Sequence, residues 1–93
     1  MAQRSSELVV DARATLPADV ALHARPAGLF VREAARFTST VTVSANGKTA
    51  NAKSILEVLG LGATGGTDVL LTASGDDAAA AVAELAQLVT HFS

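Results

Sequence analysis

Asn46-Gly47 stands between two alternating, β-branched segments, and no other feature of this 93-residue chain constrains its fold as much. A two-residue type I′ turn needs positive φ at both central positions, which Asn followed by Gly accepts at little cost. Thr38 to Ser44, with Val41 and Val43 on one face, therefore turns back into Lys48 to Ala52 as its partner strand. A tight hairpin of this kind is antiparallel, so the sheet holding it cannot be all parallel. The length fits one domain with one modest core, and that core must cover the apolar face of the hairpin.

Val10 to Leu16 also alternates. Val10, Ala12, Ala14 and Leu16 share one face, and Asp11, Arg13 and Thr15 the other, which is the period of a half-buried strand. Pro17, Ala18 and Asp19 end it. From Pro26 the period changes: Ala27, Phe30, Val31 and Ala34 form the stripe of an amphipathic helix, with Arg32, Glu33 and Arg36 opposite. Pro26 suits the first helical position, which places His23 at or beside the N-cap. Ser54 is a candidate cap for a short helix from Ile55 to Leu61, closed by Gly60, Gly62, Gly65 and Gly66. Thr67 to Ala73 reads as a strand, and Gly75 and Asp76 as turn and cap. Ala78 to Phe92 reads as the longest helix, with a core stripe of Ala78, Val82, Leu85, Val89 and Phe92. The order βαββαβα implies an α+β two-layer sandwich with the helices on one sheet face. Residues 1–8 are expected to be a flexible polar tail and residues 9–93 a single domain.

Several function classes fall away. With no Cys there is neither a disulfide framework nor a thiolate metal site. A net charge of −2 lacks the basic stripe of a nucleic-acid binder, and three Phe are the only aromatics available to stack on bases. No apolar run approaches the ~18 residues of a membrane span. The start of the chain lacks an apolar signal region, so a cytoplasmic protein is expected. Hydrophobic residues are 49% of the chain and charged residues 17%, so some apolar surface is expected to serve partners.

The segment richest in chemistry is His23-Ala24-Arg25-Pro26-Ala27. It sets an imidazole just before a helix start and an arginine two residues later. The first helical N–H groups have no partner inside the helix, and the macrodipole there attracts anions. The same positive potential favours neutral imidazole, whose lone pair can act as a nucleophile. Arg25 can fork two N–H donors onto phosphate oxygens. These groups could take up and hold a phosphoryl group, and no metal ligand or base nearby looks able to hydrolyse it. By spacing alone, His23 could equally be a cap or a surface residue.

Leu22-His-Ala-Arg-Pro-Ala27 resembles the active-site signature of the HPr family, the histidine-containing phosphocarriers of the bacterial sugar phosphotransferase system. Asn46-Gly-Lys-Thr-Ala-Asn-Ala-Lys-Ser-Ile-Leu56 resembles the segment around that family's regulatory serine. The spacing from His23 to Ser54, Leu61 to Thr67 and the closing helix fit as well, so the likeness runs from about Val9 onward. The resemblance implies an open-faced sandwich of four antiparallel strands and three helices, working as a monomer without a cofactor. It implies that His23 is phosphorylated on Nδ1 by phospho-enzyme I, which draws on phosphoenolpyruvate, and passes the group to enzyme IIA domains. Such a protein is a stoichiometric carrier and not an enzyme. Ala24 and Arg25 would then bind the phosphate, and Arg25 would help release it.

The same resemblance aligns Ser54 with the serine modified by HPr kinase/phosphorylase; otherwise Ser54 is simply an N-cap. A phosphate there would add about −1.5 to −2 charge beside a docking surface. Ile55, Leu56 and Leu59 match the family's partner-facing apolar patch, while Val58 and Leu61 suit the core, because five apolar residues exceed what one buried stripe hides. Arg32 and Lys53 align with positions that steer acidic partners. Two departures stand out. The stretch before His23 is longer by about eight residues than is usual in the family, with Pro17 to Ala21 expected to lengthen the loop. Glu57 brings a negative charge near Ser54. Alternatives with the same histidine chemistry are a nitrogen-system carrier and a dihydroxyacetone-kinase carrier; a Crh-type regulator would act through Ser54 alone. Gly60 to Gly65 spells G-x-G-x-x-G, yet a dinucleotide site needs a strand before it and a helix after it, and here the order is reversed. His91, in the last helical turn, has no second ligand at metal-binding spacing.

Overall fold

A computed structural model of the protein describes residues 9–20 and 24–92. The hairpin forms where Asn46-Gly47 requires it, with φ of 54° and 76° at the two residues. It joins β2 (Thr40–Ala45) to β3 (Lys48–Asn51), Val43 pairing with Ala50. β4 (Asp68–Ser74) lies on the other side of β2, and β1 (Val9–Thr15) pairs with β4. All pairings are antiparallel, and the sheet order is β1-β4-β2-β3.

One sheet face is apolar and buried: Ala14, Val41, Val43, Ala45, Ala50, Val69, Leu71 and Ala73. The helices α1 (Ala24–Ala34), α2 (Ile55–Leu59) and α3 (Ala78–Thr90) supply the rest of the core. α3 buries its whole expected stripe, including Phe92 just beyond its end. α1 buries Ala27, Phe30 and Ala34, but Val31 is only half-buried at the stripe's margin. The opposite sheet face is lined mainly by Thr and Ser, including Thr40, Thr42, Ser44, Thr72 and Ser74, as an open-faced sandwich requires.

Element ends depart from the sequence reading by one or two residues, β2, β3, β4 and the end of α3 among them. β1 begins one residue earlier than expected and stops at Thr15, although Leu16 still bonds to the neighbouring loop. α1 starts two residues before Pro26, because any N–H of the first turn lacks an intrahelical partner and Pro is tolerated throughout it. α2 ends at Leu59, where the Gly60 N–H closes on the Leu56 carbonyl at 3.1 Å.

Another departure is at the start of α3. Its N-cap is Asp77 and not Asp76, and the Asp77 carboxylate gives no bond to the helix. It accepts instead from the backbone N–H groups of Thr38 and Ser39, both at 2.9 Å, and from both hydroxyls. Ser39 is 2% exposed, and a buried hydroxyl and amide need such an acceptor. This latch withdraws Thr38 and Ser39 from β2, which therefore begins at Thr40. Gly75 completes it, since a Cβ at that residue would come within 2.6 Å of the Ser39 hydroxyl.

The Ser39 hydroxyl and the Thr38 amide hold the Asp77 carboxyl down at about 2, against an ordinary 3.8. A folded-state pKa below the unfolded one adds stability that is fully present above the unfolded value and is lost as pH falls through the folded one. Asp77→Asn is therefore expected to lower the thermal midpoint at neutral pH. The gap to the unmodified protein should narrow as pH drops from about 4 to 2. Melting curves across that window check this, and equal midpoints at neutral pH would count against the latch.

Candidate functional site

His23, Leu22 and Ala21 lie outside the described residues, and the segments on either side frame the site. On the chain's approach, Leu16 donates to the Thr67 carbonyl at 3.0 Å and accepts from the Gly66 N–H at 2.9 Å. The Val20 N–H then closes on the Pro17 carbonyl at 3.0 Å, and the Val20 side chain is buried. Gly65 lies so close to this segment that a Cβ there would meet the carbonyl of Ala18 and come within 2.9 Å of that of Pro17. The glycines of the G-x-G-x-x-G run thus serve a loop between α2 and β4, as the order of elements requires.

Past His23, Ala24 and Arg25 form the first turn of α1, and both are exposed. That turn holds no acidic residue, so nothing within it opposes an anion at the free N–H groups. Arg25, Leu29 and Arg32 are spaced i, i+4 and i+7, one stripe of α1, and all three are exposed. Leu29, 46% exposed, lies outside the buried stripe of α1, and in the sequence only its spacing from the two arginines marks it.

α2 packs beside α1. Leu56 is 79% exposed and Ile55 38%, and Val58 and Leu61 are in the core, but Leu59, expected to face partners with Ile55 and Leu56, is half-buried and packs against the core. Leu29, Ile55 and Leu56 are three of the four large apolar side chains exposed among the described residues. Ser54 caps α2: its hydroxyl accepts the Glu57 N–H at 3.3 Å. The Glu57 carboxylate is itself engaged, accepting the Asn51 N–H at 2.9 Å, so this charge tethers the β3–α2 turn. Lys53 differs from a free surface cation. It is half-buried, and its Nζ donates to the Phe37 carbonyl at 2.7 Å, just past the end of α1. Arg32 remains exposed.

Among the described residues no group of His, Asp and Glu could hold a metal ion, and no helix is long and apolar enough to cross a membrane.

Residues 10–91 match the family model for the PTS HPr component phosphorylation site. The HPr-like protein Crh of Bacillus subtilis is 50% identical over 68 residues, which is 73% of this chain and 80% of that one. The crystal structure of the phosphocarrier protein HPr from Bacillus anthracis superposes with a TM-score of 0.84 at 39% identity, covering 88% of this chain and 98% of that one. An HPr from Thermoanaerobacter tengcongensis, solved as a dimer, is 46% identical with a TM-score of 0.68, covering 73% and 78% of the two chains. The relatives thus include a dimer, in contrast to the monomer expected from the resemblance. The match over almost the whole chain, the shared open sandwich and the motif at the start of α1 agree: the chain belongs to the HPr family of phosphocarriers of the phosphotransferase system.

Proposed function

We propose that this protein accepts a phosphoryl group on His23 from phospho-enzyme I and delivers it to enzyme IIA domains that serve sugar uptake. The observation that carries this reading is the first turn of α1, where Ala24 and Arg25 directly follow His23 and present an exposed, acid-free helix start. The Nδ1 lone pair of His23 attacks phosphorus as the N–P bond on the donor breaks, and the reverse exchange serves the acceptor. Arg25 and the free amides of the turn offset the charge on the phosphoryl oxygens. Leu29 joins Ile55, Leu56 and Leu59 as the apolar contact for partner domains, and Arg32 steers them. Lys53 contributes a charge near that contact while holding the end of α1.

Arg25→Ala is expected to slow transfer from enzyme I by about tenfold or more, since single donors to a transferring group commonly contribute at least that much. Its circular dichroism and melting should stay unchanged, because Arg25 is exposed. Quenched-flow labelling checks the rate, and an unchanged rate would remove Arg25 from the site.

The identity to Crh favours a second reading, in which Ser54 is modified by HPr kinase/phosphorylase and the protein acts as a regulator. A phosphate on Ser54 would displace the hydroxyl that accepts the Glu57 N–H and would bring a dianion toward the Glu57 carboxylate. The presence of His23 supports the carrier over the regulator. Nitrogen-system and dihydroxyacetone-kinase carriers share the His23 chemistry and differ in which acceptor domain they dock.

A further inference from the structure

The sheet ends at β1 on one side. All seven residues of β1 pair with β4, and among the described residues no strand lies on its outer side. The bonds of Leu16 show which backbone groups point outward. Its N–H and its carbonyl both go to the 66–67 segment, on the β4 side. Direction alternates along an antiparallel strand. Val10, Ala12 and Ala14 therefore spend their backbone groups on β4, and Val9, Asp11, Arg13 and Thr15 aim theirs away from the sheet. An edge of this length is a template for another strand, and chains usually block it with charges of one sign, Lys above all, or with Pro or a bulge. β1 contains neither Lys nor Pro. It carries one acid and one base two residues apart, Asp11 and Arg13, both exposed on the open face. Neither is in an ion pair among the described residues, where Glu33–Arg36 is the one found.

We propose that β1 pairs antiparallel with β1 of a second copy of this chain, about a two-fold axis through Ala12, joining two four-stranded sheets into one of eight. The charges select this register. An axis through Asp11 sets two carboxylates opposite each other, and an axis through Arg13 sets two guanidinium groups opposite each other, both destabilising. The axis through Ala12 sets Asp11 opposite Arg13 twice and Val9 opposite Thr15 twice, with outward backbone groups facing outward ones along the whole strand. Each contact is made in duplicate because the interface is isologous. Val9, 66% exposed in the single chain, gains a neighbour.

Sedimentation equilibrium on the full chain tests this, with circular dichroism to confirm folding of each variant. The expected result is a monomer–dimer equilibrium that weakens with salt. D11R and R13D should each weaken it by about tenfold or more, since each turns two attractive cross-strand pairs into repulsive ones. The double variant D11R/R13D should regain the dimer, and an equimolar mixture of the two single variants should form the mixed dimer. A12C places the chain's only thiol on the axis and should oxidise to a linked dimer. A monomer at every concentration overturns the proposal. So does a dimer indifferent to both charge reversals, as exchange of β1 between copies would give, or a double variant no tighter than the single ones.

Discussion

Phe30→Ala is expected to cost about 3–5 kcal/mol, the range for truncating a buried aromatic side chain. Phe30 is fully buried on α1 and is the largest of the fully buried side chains. Much of the core it belongs to is Ala and Val, including Ala27, Ala34, Ala81 and Val43, and such short or stiff side chains cannot reach inward to fill the space left behind. A domain of this length has only about 5–14 kcal/mol of total stability, so the loss is a large fraction of the whole. Urea unfolding should show a much lower midpoint with a similar slope, and Phe30→Leu should lose distinctly less. A loss under about 1 kcal/mol for Phe30→Ala would contradict the packing described.

His23→Ala should abolish acceptance of phosphate from enzyme I and leave the fold intact. The chain has two histidines, and the other sits at the helix end that disfavours an anion. His91 lies at the end of α3, and its Nδ1 sits 2.8 Å from the Gln87 carbonyl. Its ring also lies at the C-terminal end of α3, where the exposed carbonyls disfavour a phosphoryl group, in contrast to the start of α1. His91→Ala is therefore the matched control, with full labelling expected. Labelling that survives in His23→Ala would place the acceptor elsewhere.

What could be read from the sequence was set by local rules. Asn46-Gly47 fixed the hairpin because positive φ is a property of those two residues. Ser54 was legible as a cap because its hydroxyl meets an amide three residues on. The split between Val58 and the exposed Ile55 and Leu56 followed from having more apolar residues than one short helix can bury. What escaped was non-local. Asp77 latches onto Thr38 and Ser39, 39 and 38 residues away in sequence, and no local pattern announces such a pair. Asp76 was the better cap by local rules; the latch made Asp77 the boundary. Lys53 and Glu57 looked like surface charges, yet one holds the Phe37 carbonyl and the other the Asn51 amide. Long polar side chains reach several ångströms, and which backbone group lies within reach depends on how α1, β3 and α2 come together. The role proposed for His23 rests on the family motif and on the exposed first turn of α1 that follows it.

The most direct test is to incubate the unmodified protein with phosphoenolpyruvate and enzyme I of its own organism, and to locate the phosphate by mass spectrometry. The account predicts one phosphate per chain, on His23, lost in acid and kept in alkali, as a phosphorus–nitrogen bond behaves. No uptake, or an acid-stable phosphate on Ser54 or any other hydroxyl, would contradict it.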